Sequence, residues 1–211
     1  MRNNFRYLAY LVVATFVSSA SAGAYEDFFR AVNRDDGDTV AKLVLLGFDA
    51  NARNPEGQTA LHLALRDQSA RVAAALWAER ALDVNALNAS GESPLMMAAL
   101  RGEVEWSERL LARGAKVHQE GWSPLHYAAT GREPRIVAIL LDRGAPINAL
   151  SPNRTTPLMM AARYGAEGSV DLLLARGADR LLRNDLGLDA SEFAKLGARE
   201  FLLPRLAGPT R

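Results

Sequence analysis

The side chains in this sequence with ligand or nucleophile chemistry are few. Cysteine is absent and there are three histidines. His62 and His126 each directly follow a leucine, Leu61 and Leu125, and Met96 and Met159 follow Leu95 and Leu158 in the same way. His62, Met96, His126 and Met159 are therefore separated by 34, 30 and 33 residues. Alternating imidazole and thioether donors suit copper. Metal bonds are about 2.0–2.3 Å long, however, and residues fixed on neighbouring packed helices lie about 8–10 Å apart. A ladder with one donor per helix cannot close on an ion. Met96-Met97 and Met159-Met160 read more simply as gap-filling core residues. Ser93, Ser123 and Thr156 each precede a proline, a place for capping hydroxyls, and the spacing sets no histidine beside them as a base. Asp35, Asp36 and Asp38 lack the twelve-residue loop and closing glutamate of a calcium site. No glycine loop suited to phosphate is present, so no cofactor, metal or catalytic centre is expected.

What positions these residues is a repeated pair of short helices. Between Gly121 and Ala145, Ser123 caps a helix with Pro124 at its first position. Leu125, Ala128 and Ala129 then share one face at three- and four-residue spacing. Pro134 separates this helix from a second one, where Ile136, Ile139 and Leu140 repeat the spacing and Gly144 supplies a left-handed stop. The first-helix wording recurs at Thr59-Ala60-Leu61-His62, Ser93-Pro94-Leu95-Met96 and Thr156-Pro157-Leu158-Met159. The stop recurs at Arg113-Gly114-Ala115 and Arg176-Gly177-Ala178. A period near 33 residues with this wording resembles the ankyrin repeat.

The resemblance covers nearly all of the chain after residue 24. Units at about 54–87, 88–118, 119–150 and 151–183 match well, degenerate units flank them at about 25–53 and 184–206, and 207–211 form a tail. The family implies an all-α ankyrin-repeat solenoid of stacked helix-turn-helix units with short hairpin-like fingers. It also implies that His62 and His126 bond to neighbouring turn backbone. Four departures stand out. Ala60 replaces the family's proline, Arg80 stands where the second unit's glycine stop belongs, and Arg154 replaces a turn glycine. The link from Ala115 to Gly121 is about three residues short, so Lys116 to Glu120 form a clipped finger. Arg80 is expected to end its helix through another conformation, and Trp77 and Trp106 are expected to pack at second-helix core positions.

The first 24 residues differ in kind. Arg2 and Arg6 precede a short apolar run from Leu8 to Val17, and small residues from Ser18 to Ala24 offer cleavage after Ala22 or Ala24. This is a secretory signal pattern, with about half of the roughly twenty apolar residues that a spanning helix needs. Cleavage after Ala24 is preferred, with the first helix starting at Tyr25. The chain's formal charge of +1 would become −1 without Arg2 and Arg6. Near neutrality excludes the basic footprint of nucleic-acid or anionic-lipid binding.

Stacking leaves the finger tips and outer faces of the first helices free on one concave side. The register places Arg66, Glu92, Leu100, Arg101, Glu120, Trp122, Arg163 and Tyr164 there. Trp, Tyr and Arg dominate interface energetics. Trp122 either anchors a partner or shields the clipped finger. The expected function is a non-enzymatic protein-protein interaction module, exported and monomeric. It is periplasmic if the source is a Gram-negative bacterium and secreted otherwise. The alternatives are a dedicated inhibitor or immunity-like partner of an exported protein and, further off, a metal-handling or enzymatic protein.

Overall fold

The computed structural model describes residues 23–207. The expected signal segment lies almost wholly outside these residues, as does all but the first residue of the tail. The chain forms helix pairs. Helix α1 spans 23–33 and α2 Gly37–Leu45, followed by α3 (Ala60–Asp67) with α4 (Ala70–Trp77) and α5 (Pro94–Arg101) with α6 (Val104–Ala112). Then come α7 (Pro124–Thr130) with α8 (Pro134–Asp142), α9 (Pro157–Arg163) with α10 (Glu167–Ala175), and α11 (Ala190–Leu196) with a short 3-10 turn and α12 (Leu203–Ala207). Helix α1 already includes Gly23 and Ala24, ahead of the expected start at Tyr25.

The first helices α3, α5, α7, α9 and α11 stack in one layer, and α2, α4, α6, α8 and α10 lie in a second. Helices α3, α5, α7 and α9 each present a leucine and alanines to the seam. Leu61, Leu95, Leu125 and Leu158 are buried, each worth roughly 1.5–3 kcal/mol relative to exposure. The alanines allow backbones to approach closely. At Gly165 a Cβ would overlap the Ala129 carbonyl of the preceding first helix, so only glycine fits. Before α3, α5, α9 and α11 a finger turns back on itself, and one antiparallel bridge, Arg53 to Thr59, marks the hairpin character.

The local signals act as their chemistry dictates. Ser93 and Thr156 accept the third helical N–H at 3.3 Å, behind prolines at the helix start. Ala60 costs no shift in position, because Thr59 still initiates α3. Gly47, Gly114, Gly144 and Gly177 lie at φ between +85° and +95°. The amide after each one closes the helix end, as in Ala145 N–H to the Leu140 carbonyl at 3.0 Å.

The second unit stops differently from the expectation at Arg80. Helix α4 ends at Trp77, before Arg80 is reached. Arg113, from the next unit, donates to the Trp77 carbonyl at 3.0 Å, the Arg80 carbonyl at 3.1 Å and the Glu79 carbonyl. A guanidinium from outside thus satisfies carbonyls that a glycine turn would otherwise have capped. Trp77 and Trp106 are half-buried rather than core residues. Their rings meet edge to face at 5.4 Å, Arg109 lies 4.1 Å from the Trp106 centroid and 5.0 Å from that of Trp77, and Arg113 lies 4.7 Å from Trp77. The pair forms a stacked cation–π cluster around the α4 stop.

Candidate functional site

The two histidines show how the units are joined. His126 Nδ1 accepts the Ser123 backbone N–H at 3.2 Å and lies 2.9 Å from Ser123 Oγ. Nε2 therefore carries the proton and donates to the Thr155 carbonyl of the next unit at 3.0 Å. His62 does the same with Thr59 and the Glu92 carbonyl. Hydroxyl and histidine do adjoin at these helix starts, contrary to the expectation from spacing. Ser123 and His126 are both buried and engaged in joining backbone, so neither is exposed to a substrate. Burial lowers the His126 pKa to about 4 and shifts His62 in the same direction. At Met96 and Met159 the sulfur accepts the equivalent N–H at 3.4 Å.

Trp122 sits just before the Ser123 cap, after Gly121 at φ +75°. Its ring meets the His126 ring edge to face at 5.3 Å. Beside it opens a cleft of about 250 Å³ lined by Leu100, Trp122, His126, Tyr127, Thr130 and Met160. A wider groove of about 610 Å³ adjoins it through Leu100 and Thr130, and Gln68, Arg101, Arg132 and Glu133 contribute to its walls. Among the described residues, no cluster of three or more His, Asp or Glu side chains is placed to hold a metal ion.

Of the residues read from the sequence, the structure brings Leu100 and Trp122 into one cleft and puts Arg101 in the adjoining groove. Arg163 and Tyr164 stand apart, the guanidinium 4.9 Å from the half-exposed phenol ring. Glu120 is exposed on the clipped finger. Two others are tied down. Arg66 makes two 2.8 Å bonds to Asp67, and Glu92 accepts the Tyr127 hydroxyl at 2.6 Å and the Asn88 amide at 2.7 Å. Burial, with the Glu92 carboxylate, pushes the Tyr127 phenol above its ordinary pKa.

Tyr127 and Met160 were not legible as site residues. They share a repeat position with Leu63 and Met97, which are buried. Only in the fourth and fifth units does that column come to the surface, beside the clipped finger. The register could have flagged Tyr127 as the one polar member of the column.

A stack of helix pairs joined by short fingers, with an apolar cleft beside one of them, defines a helical-repeat solenoid. The sequence matches the family described as ankyrin repeats (3 copies) over residues 28–120 and 107–184. The chain belongs to the ankyrin repeat family, whose repeats bind other proteins and are typically not enzymes. It is 33% identical to the Neurogenic locus Notch protein of Drosophila melanogaster over 62% of this chain and 6% of that protein. It is 28% identical to Protein glp-1 of Caenorhabditis elegans over 72% of this chain and 13% of that protein. Similarity to human Transient receptor potential cation channel subfamily A member 1 is 27% over 70% of this chain and 14% of that protein. The chain thus spans a small fraction of the length of these relatives. No helix among the described residues is long and apolar enough to cross a membrane.

Proposed function

We propose that this chain is a non-enzymatic binding module that acts outside the cytoplasm and grips a partner protein on its concave face. The observation that carries the reading is the apolar cleft beside Trp122. Aromatic and methionine side chains, enriched at the cores of interfaces, line a preformed hollow there. Trp122 and Leu100 are the anchors, with Tyr127 and Met160. Arg101, Glu120, Arg163 and Tyr164 form a polar rim, while Arg66 and Glu92 hold the surface in shape. A rigid solenoid presents this surface already ordered, which limits the entropy lost on association.

Export rests on the residues at the start of the chain, Arg2 to Ala24. The module works as a single copy, in the periplasm of a Gram-negative source or secreted from another. N-terminal sequencing of the protein outside the cytoplasm is expected to begin near Tyr25, and a retained Met1 in membrane fractions would overturn export.

The binding site is tested with a partner captured from the exported fraction. Trp122→Ala is expected to weaken its affinity by about 2 kcal/mol or more, with little change in urea midpoint. A lowered midpoint with unchanged affinity would make Trp122 a shield for the His126 ring instead.

A further inference from the structure

This inference rests on the concave-face reading and adds the chemistry of the partner. We propose that the cleft and the adjoining groove together take one extended peptide segment of another protein, with an apolar side chain in the cleft and an acidic side chain in the groove.

The cleft favours an apolar group because, apart from the Trp122 indole N–H, its polar side chains are already engaged. Thr130 Oγ1 donates to the His126 carbonyl at 2.8 Å, the Tyr127 hydroxyl donates to Glu92, and both His126 nitrogens are bonded. A polar side chain that does not meet the Trp122 indole N–H would lose its water without gaining a donor, at a cost of about 1–3 kcal/mol. The cleft's 250 Å³ falls below the roughly 300–1,000 Å³ of small-molecule pockets and suits a single side chain. The Trp122 indole N–H has no hydrogen-bond partner among the described residues and stands free to donate to a peptide carbonyl.

The groove supplies the charge preference. It holds two cations, Arg101 and Arg132, and one anion, Glu133. Glu133 is occupied at the start of α8, where its carboxylate accepts the Arg135 N–H at 3.0 Å. Arg101 uses its Nε on the Arg66 carbonyl at 2.6 Å, and Arg132 is exposed without a partner among the described residues. The neighbouring Arg66–Asp67 pair cancels itself. The carbonyl ends of α3, α5 and α7 oppose an anion with about half a charge each, falling off within a turn. Cap amides already meet these ends, as in Gly102 N–H to the Ala98 carbonyl and Gly131 N–H to the Tyr127 carbonyl. Two full guanidinium charges, each able to hold a carboxylate bidentately, prevail.

The test is selection of a displayed random-peptide library on the purified full chain, followed by titration of a synthetic consensus peptide. Selected peptides are expected to share an aromatic, leucine or methionine residue with Asp or Glu close by. Trp122→Ala should weaken the consensus peptide at least tenfold. Arg132→Glu should weaken it about tenfold and recover binding when the peptide's acid is replaced by lysine. Should Trp122→Ala lose its fold, Leu100→Glu, which fills and charges the cleft, replaces it. Trp122-dependent peptides without acidic bias, or indifferent to Arg132→Glu, overturn this proposal and leave the concave-face reading standing. Peptides insensitive to Trp122→Ala, Leu100→Glu and Arg132→Glu alike, or no selected peptide at all, overturn both.

Discussion

The fingers before α5 and α7 are neighbours, yet they are held in opposite ways. The finger at 88–92 closes on itself. Asn88 N–H donates to the Glu92 carbonyl at 3.0 Å, and the Asn88 side-chain oxygen accepts the Ser90 and Glu92 amides at 2.9 Å. Fingers at 54–58, 151–155 and 184–188 repeat the backbone closure. The clipped finger instead leans on its predecessor. Lys116 N–H donates to Asn85 Oδ1 at 2.8 Å and the Gln119 amide donates to the Gly91 carbonyl at 2.9 Å. Self-closed fingers need a full complement of residues and present polar tips. A short finger gives up its internal bonds and uncovers the flank of α7, where Tyr127 and Trp122 meet the cleft. The surface proposed for binding is gained where regularity is lost.

The largest expected effect concerns the joints between units. His126 has a folded pKa of about 4 against an ordinary 6.5. The unfolded chain therefore binds the proton more tightly. Stability is full above pH 6.5 and falls as pH drops from 6.5 to about 4, by on the order of 3 kcal/mol. His62, shifted in the same direction, adds to the slope. Asp36 and Asp67, whose pKa values are lowered by hydrogen bonds from Thr39 and Arg66 respectively, withdraw their stabilisation only at still lower pH. His126→Met copies the residue that Met96 and Met159 place at this position. It should fold and flatten the urea-midpoint profile between pH 6.5 and 4. A slope equal to that of the unaltered chain would remove His126 as its source.

The next effect separates the two kinds of finger directly. Asn88→Ala leaves two backbone amides without their acceptor and should cost about 2 kcal/mol in urea. Gln119→Ala breaks one partly solvated bond that water can replace, and about 0.5 kcal/mol or less is expected. Equal losses would mean that the clipped finger is as firmly held as its neighbour.

A comparable contrast holds between the helix stops. Gly144 lies at φ +85° with open space where a Cβ would be, so Gly144→Val carries backbone strain alone, about 1–2 kcal/mol. Arg113→Ala exposes the α4 carbonyls but strains nothing, and it should cost about 1 kcal/mol. Differential urea midpoints rank the two, and an Arg113→Ala midpoint equal to that of the unaltered chain would return the α4 stop to Arg80.

Helix starts, buried leucines and glycine stops are written in residues adjacent along the chain, so Ser123-Pro124-Leu125 and Gly144 could be read directly. The Arg113 cap could not, because its carbonyls lie 33 to 36 residues away and only the stacking brings them together. Leu100 and Trp122 were legible because an apolar side chain on a solvated face needs a reason. Arg66 and Glu92 carry no sequence signal of being tied down, because Asp67 and Tyr127, which hold them, are equally consistent with pointing elsewhere. Tyr127 and Met160 carry no signal of exposure within the repeat; their surroundings change because the finger beside them is short.

The smallest effect tests the finger of the fifth unit, where Arg154 occupies the turn position that Gly57, Gly91, Gly121 and Gly187 fill elsewhere. All four glycines lie at φ between +72° and +75°, and Arg154 follows them at +61°. A non-glycine residue in this region carries about 1–2 kcal/mol of strain. Arg154→Gly removes the strain but gives the unfolded chain more freedom, worth about 0.4–1 kcal/mol in the other direction. The exposed Arg154–Asp185 pair, 4.0 Å apart, is also lost and contributes little. The balance favours glycine by about 0.5 kcal/mol. A small rise in urea midpoint is therefore expected. A fall would mean that the Asp185 contact or the arginine stem outweighs the strain, and that this finger, unlike its four counterparts, is held by its side chain.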